Sequence, residues 1–241
     1  NAADMVLVDD NFITITKAVK QGRTIFENIQ KAIHFLIATN IGEIVTIFLG
    51  LILGCKSTLL AIQLLWINLV TDSFPAIALG LEPPDPNIMN KKARDSKKSI
   101  FSDGLWQKII LEGFMLGILT LFAFGIGNYL YNIETARTMA FVSLGLLELI
   151  HSFNIKSEQS IFKTDFTKNK FLIYSFLVGT VLQIGVVLVP PIAKVFSLVA
   201  LNKIQWLYTL TISIMPIIII EIQKKFNELK FGKIIYHEKF Q

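Results

Sequence analysis

Apolar residues along this chain gather into six long runs separated by shorter polar segments. A helix needs about 20 mostly apolar residues to cross a bilayer, and each run is close to that length. The pattern therefore predicts an all-α fold, a polytopic membrane bundle of six transmembrane helices. The predicted spans are roughly residues 32–55, 59–81, 107–130, 137–155, 171–195 and 204–223.

The segment ahead of the first run is more polar and is predicted to be soluble. Residues 4–10 have the pattern of a short buried strand that ends in an acidic turn. From Ile13 to Gln30 the apolar and charged residues fit an amphipathic helix, which continues without a breaker into the first span. The predicted division is a soluble strand–helix segment (1–30), a transmembrane domain (31–223) and a cytoplasmic tail (224–241).

Basic residues concentrate in the N-terminal segment, the second–third loop, the fourth–fifth loop and the C-terminal tail. Under the positive-inside rule these four segments lie on one side, so both termini are predicted to be cytoplasmic. The expected location is the plasma membrane. The basic cluster of the second–third loop is interpreted as a topology signal and consists of Lys91, Lys92, Arg94, Lys97 and Lys98. Basic residues divided among membrane-flanking loops form no single face, which argues against nucleic-acid binding.

Composition narrows the class of protein further. A single cysteine, Cys55, excludes an internal disulfide and a thiol cluster for zinc. The polar, acidic N-terminus predicts no cleavable signal peptide, and a first residue other than Met suggests a piece of a longer chain. No paired halves are visible, which disfavours an inverted-repeat secondary transporter.

Three carboxylates, Glu43, Asp72 and Glu148, lie inside predicted spans. An ionisable group in a span costs about 2.5–3.5 kcal/mol on insertion scales, so each is a candidate functional residue. No Lys or Arg lies at the same depth, so these carboxylates are expected to be protonated or to hold cations. For Glu148 a structural interpretation stays open, since His151 could partner it.

Each carboxylate has polar neighbours at helical spacing. The groups are Asn40 with Glu43, then Asn68 and Thr71 with Asp72, and finally His151 with Glu148. The first two groups offer only oxygen ligands, which suit a hard cation such as Ca2+. A lone Asn or Thr in a span more often forms a hydrogen bond between helices than binds an ion. That structural interpretation stays open for Asn40 and Thr71. Pro75 frees a carbonyl near Thr71, and an interrupted helix at membrane depth is tolerated where it lines a site.

Other polar residues of the spans are interpreted as structural. Gln183 is expected to serve packing, and His151 to be an end-of-helix residue. Glu112 and Glu221 lie near cytoplasmic ends, where their side chains are expected to reach water.

At this point the motifs resemble P-type cation ATPases. Residues 2–12 (AADMVLVDDNF) resemble the end of the phosphorylation domain, and residues 22–28 (GRTIFEN) the stalk that follows it. Segments 40–43 (NIGE) and 63–72 (QLLWINLVTD) are similar to the fifth and sixth membrane helices, and Pro83-Pro84 to the next loop. The similarity extends through residues 138–140 and 152–154 in the eighth helix, whereas the ninth and tenth match only in length and polarity. The chain thus resembles the C-terminal membrane half of a P-type pump, most like Ca2+-ATPases of the reticulum type.

The resemblance implies a ligand set for transported Ca2+. One implied site consists of Asn40, Glu43, Thr71, Asp72 and Glu148. Asn68 and Asp72 are implied in a second site, whose acidic ligand comes from the fourth helix of such pumps. Sodium/potassium pumps usually carry an acid where Asn68 stands. Plasma-membrane and secretory-pathway calcium pumps usually lack one where Glu43 stands, so Glu43 favours the two-ion type.

The resemblance also implies partners and cofactors outside these residues. The implied partners are the actuator, nucleotide-binding and phosphorylation domains, the first four membrane helices and the lipid bilayer. ATP and Mg2+ would bind only in the full-length protein. The family's Asp-Lys-Thr-Gly and Thr-Gly-Asp-Gly motifs do not occur here. The chain is therefore expected to contain no catalytic residue and to be inactive alone.

Three alternatives stay open at this stage. The chain could serve a pump for Mn2+ or for a monovalent cation. It could also be a stand-alone six-helix channel, although no span carries the regular arginines of a voltage sensor and no pore loop separates spans five and six. A purely structural membrane anchor would not need three unpaired carboxylates.

Overall fold

The structure is a computed structural model that describes residues 11–55, 57–91, 98–102, 104–157 and 159–238. Within these ranges, six helices are long and apolar enough to cross a membrane, which confirms the predicted all-α bundle. No strand occurs there, and the strand–helix segment predicted for the N-terminus is not borne out. The predicted strand at 4–10 lies outside the described residues. The predicted amphipathic helix is not a separate unit, because no breaker interrupts the chain between it and the first span.

The first helix, α1, runs without interruption over Phe12–Ile52, 41 residues in all. The Asn11 side chain caps its start by accepting a hydrogen bond from the backbone N–H of Ile13 (2.9 Å). Its end is a Schellman turn in which Gly54 adopts a positive φ of 78°. The helix therefore stops three residues before the predicted end of the first span.

The second span is divided into three pieces. Helix α2 (Ala61–Trp66) leads into a π-helical turn (Ile67–Asp72), and α3 (Ser73–Gly80) follows. Pro75, which lacks an N–H, cannot bond the carbonyl four residues earlier. The hydroxyl of Ser73 instead donates to the carbonyl of Asn68 (2.9 Å). The irregularity expected from Pro75 is thus a π-turn, a feature common at functional sites.

The remaining helices complete the bundle. They are α4 (Leu105–Leu130), α5 (Ile133–Lys156), α6 (Lys170–Leu188), α7 (Pro190–Val195) and α8 (Lys203–Glu238). Short 3-10 turns occupy Ile88–Asn90, Ile161–Lys163 and Phe166–Lys168. Among the spans, α5 is the most buried, so the bundle packs around it.

The fifth predicted span is too long at its C-terminal end. Helix α6 stops at Leu188, and residues 190–195 form the separate helix α7. The reason is Pro190, since the residue before a proline is pushed out of the helical region. Val189 is accordingly extended (φ −93°, ψ 103°).

Two glycines bring α4 against the polar helix α1. A Cβ at Gly113 would lie 2.8 Å from the carbonyl oxygen of Ala38, and one at Gly117 equally close to that of Gly42. Such small-residue spacing permits close backbone contact between membrane helices. The contact fixes the part of α1 that carries Glu43.

Polar side chains join α1 to the loop after the second span. Arg23 donates to the carbonyl oxygens of Ile88 (3.0 Å) and Lys91 (2.8 Å). Lys91 in turn pairs with Glu27 at 2.6 Å. Partial burial acts to lower the pKa of Lys91, but its hydrogen bond to Glu27 prevails and raises it. These contacts tie the N-terminal part of α1 to the loop.

Candidate cation site in the helix bundle

Three elements bring the predicted carboxylates together in the bundle interior. Helix α1 carries Glu43, the π-turn carries Asp72, and α5 carries Glu148. All three side chains are buried, with relative exposures of 7%, 1% and 0%. The π-turn connects them, because Asn68 donates to Glu43 and Thr71, next to Asp72, lies within hydrogen-bond distance of Glu148.

Asp72 accepts a hydrogen bond from Thr39 on α1, a residue that was not predicted from the sequence. The hydroxyl of Thr39 donates to Oδ2 of Asp72 at 2.8 Å, and Thr39 is fully buried. The other carboxylate oxygen, Oδ1, is buried with no hydrogen-bond partner in the described part of the chain. The spacing of Thr39, four residues before Glu43 on the same helix, was the signal that could have identified it.

Glu148 on α5, like Asp72, has one carboxylate oxygen hydrogen-bonded by a threonine hydroxyl. The single hydroxyl proton of Thr71 is shared between Oε2 of Glu148 (3.2 Å) and the carbonyl oxygen of Ile67 (2.9 Å). Oε1 of Glu148 is buried and lacks a partner among the described residues. Thr71 thus connects the π-turn that carries Asp72 to Glu148 on α5.

Glu43 pairs with the amide of Asn68. Nδ2 of Asn68 donates to Oε1 of Glu43 at 2.7 Å and to the carbonyl of Leu64 at 3.0 Å. Because the amide nitrogen is engaged in both bonds, the carbonyl oxygen of Asn68 remains as an acceptor or cation ligand. The π-turn thus presents Asn68 toward α1 and Thr71 toward α5.

Asn40 does not join this group in the described chain. Its side chain is exposed and donates to the carbonyl of Leu36 on its own helix at 2.6 Å. Glu43, one turn further along the same helix, is buried, so Asn40 lies at the edge of the buried face. The adjacent residue, Thr39, points inward instead.

A second buried cluster lies elsewhere among the same helices and corrects two expectations. Glu112 on α4 is only 3% exposed, so it does not reach water. Its Oε2 lies 2.5 Å from Nε2 of His34 on α1 and 3.3 Å from Nε2 of His151 on α5. His151 is therefore an interior residue next to Glu112, and no hydrogen bond joins it to Glu148 within the described ranges. The sequence could not show this pairing, because 78 residues separate His34 from Glu112.

Two further polar residues have structural roles. Gln183 accepts from the indole of Trp66 (3.0 Å) and donates to the carbonyl of Phe141 (2.9 Å), which agrees with its predicted packing role. Glu221 accepts from the hydroxyl of Ser160 and from the backbone N–H of Ile161. It therefore holds the loop between α5 and α6 rather than merely pointing into water.

The first cluster offers oxygen ligands, the donor type that hard cations prefer. Three neighbouring negative charges in a medium of low dielectric repel one another strongly, so protons or cations must offset them. Within the described residues no group of three or more His, Cys, Asp or Glu side chains is arranged to hold a metal ion by itself. Ca2+ takes six to eight oxygens, so amide, hydroxyl and additional carboxylate oxygens would have to complete its shell.

Comparison with known proteins agrees with these observations. Residues 56–226 match the family described as cation transporting ATPase, C-terminus. Calcium-transporting ATPase 1 of Bacillus cereus is 42% identical over an alignment that covers 92% of this chain and 27% of that protein. The calcium-transporting ATPase of Bacillus subtilis is 40% identical, over 89% of this chain and 24% of that protein. The endoplasmic reticulum calcium ATPase srcA of Aspergillus fumigatus is 33% identical, over 94% of this chain and 27% of that protein. The chain thus spans about a quarter of the length of these relatives.

Proposed function

This chain belongs to the family of cation-transporting ATPases whose C-terminal region it matches, and we propose that it supplies intramembrane ligands for Ca2+ in an ATP-driven pump. Relatives that are similar to it over about nine-tenths of its length are named calcium-transporting ATPases. ATP hydrolysis would take place in domains outside these residues, where ATP and Mg2+ bind. In this proposal Ca2+ is the transported substrate.

The proposed ligands are Asn40, Glu43, Asn68, Thr71, Asp72 and Glu148. The observation that carries the proposal is the pair of carboxylate oxygens, Oδ1 of Asp72 and Oε1 of Glu148. Both are buried without a partner among the described residues. A buried carboxylate that is neither paired nor hydrogen-bonded at one oxygen is costly, and a bound cation removes that cost.

Asp72 has the central role in this assignment. Thr39 donates to one of its carboxylate oxygens. The resemblance to P-type pumps implies that this carboxylate would serve both ions. Glu43, Thr71 and Glu148 would complete one ion's shell, and Asn68 would belong to the other. Asn40 lies on the exposed face of α1, so it would act only together with helices outside this chain or after a rotation of α1.

The proposal includes a membrane arrangement and partners. Both termini would be cytoplasmic in a plasma membrane, in line with the distribution of basic loops. The remaining parts of the pump would be the actuator, nucleotide-binding and phosphorylation domains and the first four helices. The contacts of Arg23 and Lys91 between α1 and the adjacent loop offer a mechanical connection from those domains to Asp72.

The test is ATP-driven uptake of radiolabelled Ca2+ by sealed vesicles containing the full-length protein. Uptake that a Ca2+ ionophore releases, and that exceeds uptake of Mn2+ or Na+, is the expected result. A full-length protein whose ATP hydrolysis responds to Na+ or Mn2+ but ignores Ca2+ would refute the choice of ion. A full-length protein that conducts ions without ATP would refute the pump itself.

A further inference from the structure

A cavity of about 500 Å³ opens at the end of the bundle where α5 begins and α6 ends. One wall comes from Glu134 and Arg137 on the first turns of α5. The opposite wall comes from α7, with Lys194, and from the loop that follows it. None of the proposed Ca2+ ligands lines this cavity.

Arg137, which lines this cavity, has a side-chain donor without a hydrogen-bond partner in the described part of the chain. Its Nε is buried and has no hydrogen-bond partner in the described part of the chain. It also forms no ion pair with a described residue, although Glu134 lies one turn earlier on the same helix. A guanidinium presents a planar fork of donors that matches a phosphate or carboxylate, so a buried donor of this kind calls for an anionic partner.

The loop after α7 lines the cavity and includes a residue in an unusual backbone conformation. Ser197, which lines the cavity, has a φ of 54°, a conformation that side chains other than those of Gly, Asn and Asp rarely adopt. The backbone N–H of Val199 donates to the hydroxyl of Thr138, next to Arg137 on α5, at 3.0 Å. The loop is therefore anchored to the helix that carries Arg137.

The rest of the lining is apolar and continues onto the lipid-facing surface. Val187, Leu188 and Ala193 line the cavity. Leu188 and the neighbouring Val195 are more than half exposed. The volume far exceeds that of a phosphate ion and falls within the range of ligand sites for small organic molecules. Two cationic side chains against one carboxylate, Glu134 at the exposed rim, leave the lining with a net positive charge.

We propose that this cavity binds the phosphodiester group of an anionic phospholipid, with Arg137 as its principal contact. Lys194 supplies a second positive charge, and the apolar wall receives the glycerol and upper acyl groups of the lipid. The inference does not depend on Ca2+ transport, so the two proposals fail or hold independently. A free phosphate ion shares the same recognition chemistry and is distinguished by the test below.

The test is native mass spectrometry of the full-length protein in detergent, titrated with phosphatidylglycerol or phosphatidylcholine. Arg137→Gln is expected to weaken the tightest phosphatidylglycerol binding about tenfold or more, the loss typical of one charge-assisted hydrogen bond. Phosphatidylcholine should bind more weakly than phosphatidylglycerol to the unmodified protein. Lys203→Gln is the matched control, because Lys203 is an exposed cation on the next helix that does not line the cavity.

Unchanged phosphatidylglycerol binding by Arg137→Gln would overturn the proposal, and so would an equal loss in Lys203→Gln. Displacement of the lipid by inorganic phosphate at millimolar concentration would support the phosphate chemistry with a soluble ion as its source. A thermal melt of each variant shows whether it is folded. If Arg137→Gln does not fold, Lys194→Gln provides the same test, with a smaller expected loss.

Discussion

The bundle contains two groups of buried carboxylates whose surroundings differ. Glu112 lies 2.5 Å and 3.3 Å from the Nε2 atoms of two histidines, His34 and His151. Asp72 and Glu148 are as deeply buried, yet their described hydrogen bonds come only from threonine hydroxyls. The first group places imidazole nitrogens beside its carboxylate, although both ring nitrogens of His151 have no hydrogen-bond partner in the described ranges. The second group keeps two carboxylate oxygens without partners there.

The difference shows that burial alone does not identify a transport site. A carboxylate beside imidazole bases can be neutralised by the protein's own groups, and such a cluster holds helices together. A carboxylate supported only by hydroxyls leaves its charge to be offset by a proton or a cation. We therefore interpret the Glu112 cluster as a structural brace between α1, α4 and α5, and the Asp72 cluster as the cation site.

Asp72→Asn is the change expected to have the largest effect on Ca2+ affinity. It removes a charge that serves both proposed ions and leaves the remaining ligands unbalanced. If the loss of a partner from a buried ion pair is a guide, the cost is about 3–5 kcal/mol, or more than a hundredfold in affinity. Equilibrium binding of radiolabelled Ca2+ to the full-length protein measures it, and an unchanged affinity would refute the site assignment.

Glu43→Gln and Asn68→Ala are expected to separate the two ions. Each change should abolish high-affinity binding of one ion and spare the other, because Glu43 and Asn68 are assigned to different shells. Stoichiometric Ca2+ binding should then fall to about half in either variant if each shell holds one ion with six to eight oxygens. Loss of both ions in Asn68→Ala would contradict the assignment of the two residues to separate ions. It would show that the hydrogen bond from Asn68 to Glu43 is needed for both.

Glu148→Gln is expected to be milder than Asp72→Asn. The amide keeps an oxygen that can bind the cation, and Thr71 can still donate to it. A loss of about tenfold in apparent Ca2+ affinity, which corresponds to about 1.4 kcal/mol, is the expected scale. The Ca2+ dependence of ATP-driven uptake measures it, and a loss as large as that of Asp72→Asn would move the central role to Glu148.

Thr39→Val is expected to have the smallest effect on affinity of these changes. Valine has nearly the same shape but removes the hydroxyl that donates to Oδ2 of Asp72. The net value of one hydrogen bond, about 0.5–1.5 kcal/mol, predicts a change of roughly two- to twelvefold in Ca2+ affinity. Thr46→Val on the same helix is the control, since Thr46 donates only to backbone carbonyls. Equal effects of the two substitutions would mean that Thr39 does not act through Asp72.

The sequence predicts the bundle well because membrane spans depend on length and hydropathy, which are local properties. It also places Glu43, Asp72 and Glu148 in the interior, since unpaired charges in spans are rare and expensive. Helix ends were less accurate: the turns at Gly54 and Pro190 override a hydropathy pattern that continues past them.

The pairing of side chains between helices was more difficult to predict from the sequence than the spans themselves. Periodicity gives the face of a helix but not its rotation against its neighbours. Thr39 was therefore not among the predicted residues, although the structure places it against Asp72. Glu112 looked like an end-of-span group until packing through Gly113 and Gly117 brought α4 against α1 and His34.

The most direct test of the comparison neutralises one carboxylate of each group in otherwise identical full-length proteins. Ca2+ binding and thermal stability are measured together for Asp72→Asn and Glu112→Gln. The account predicts that Glu112→Gln keeps its Ca2+ affinity but melts earlier, because breaking a buried pair costs about 3–5 kcal/mol. It predicts that Asp72→Asn loses Ca2+ affinity more than a hundredfold without a comparable loss of stability in the absence of Ca2+. Equal loss of Ca2+ affinity in both variants would contradict the division between a brace and a cation site.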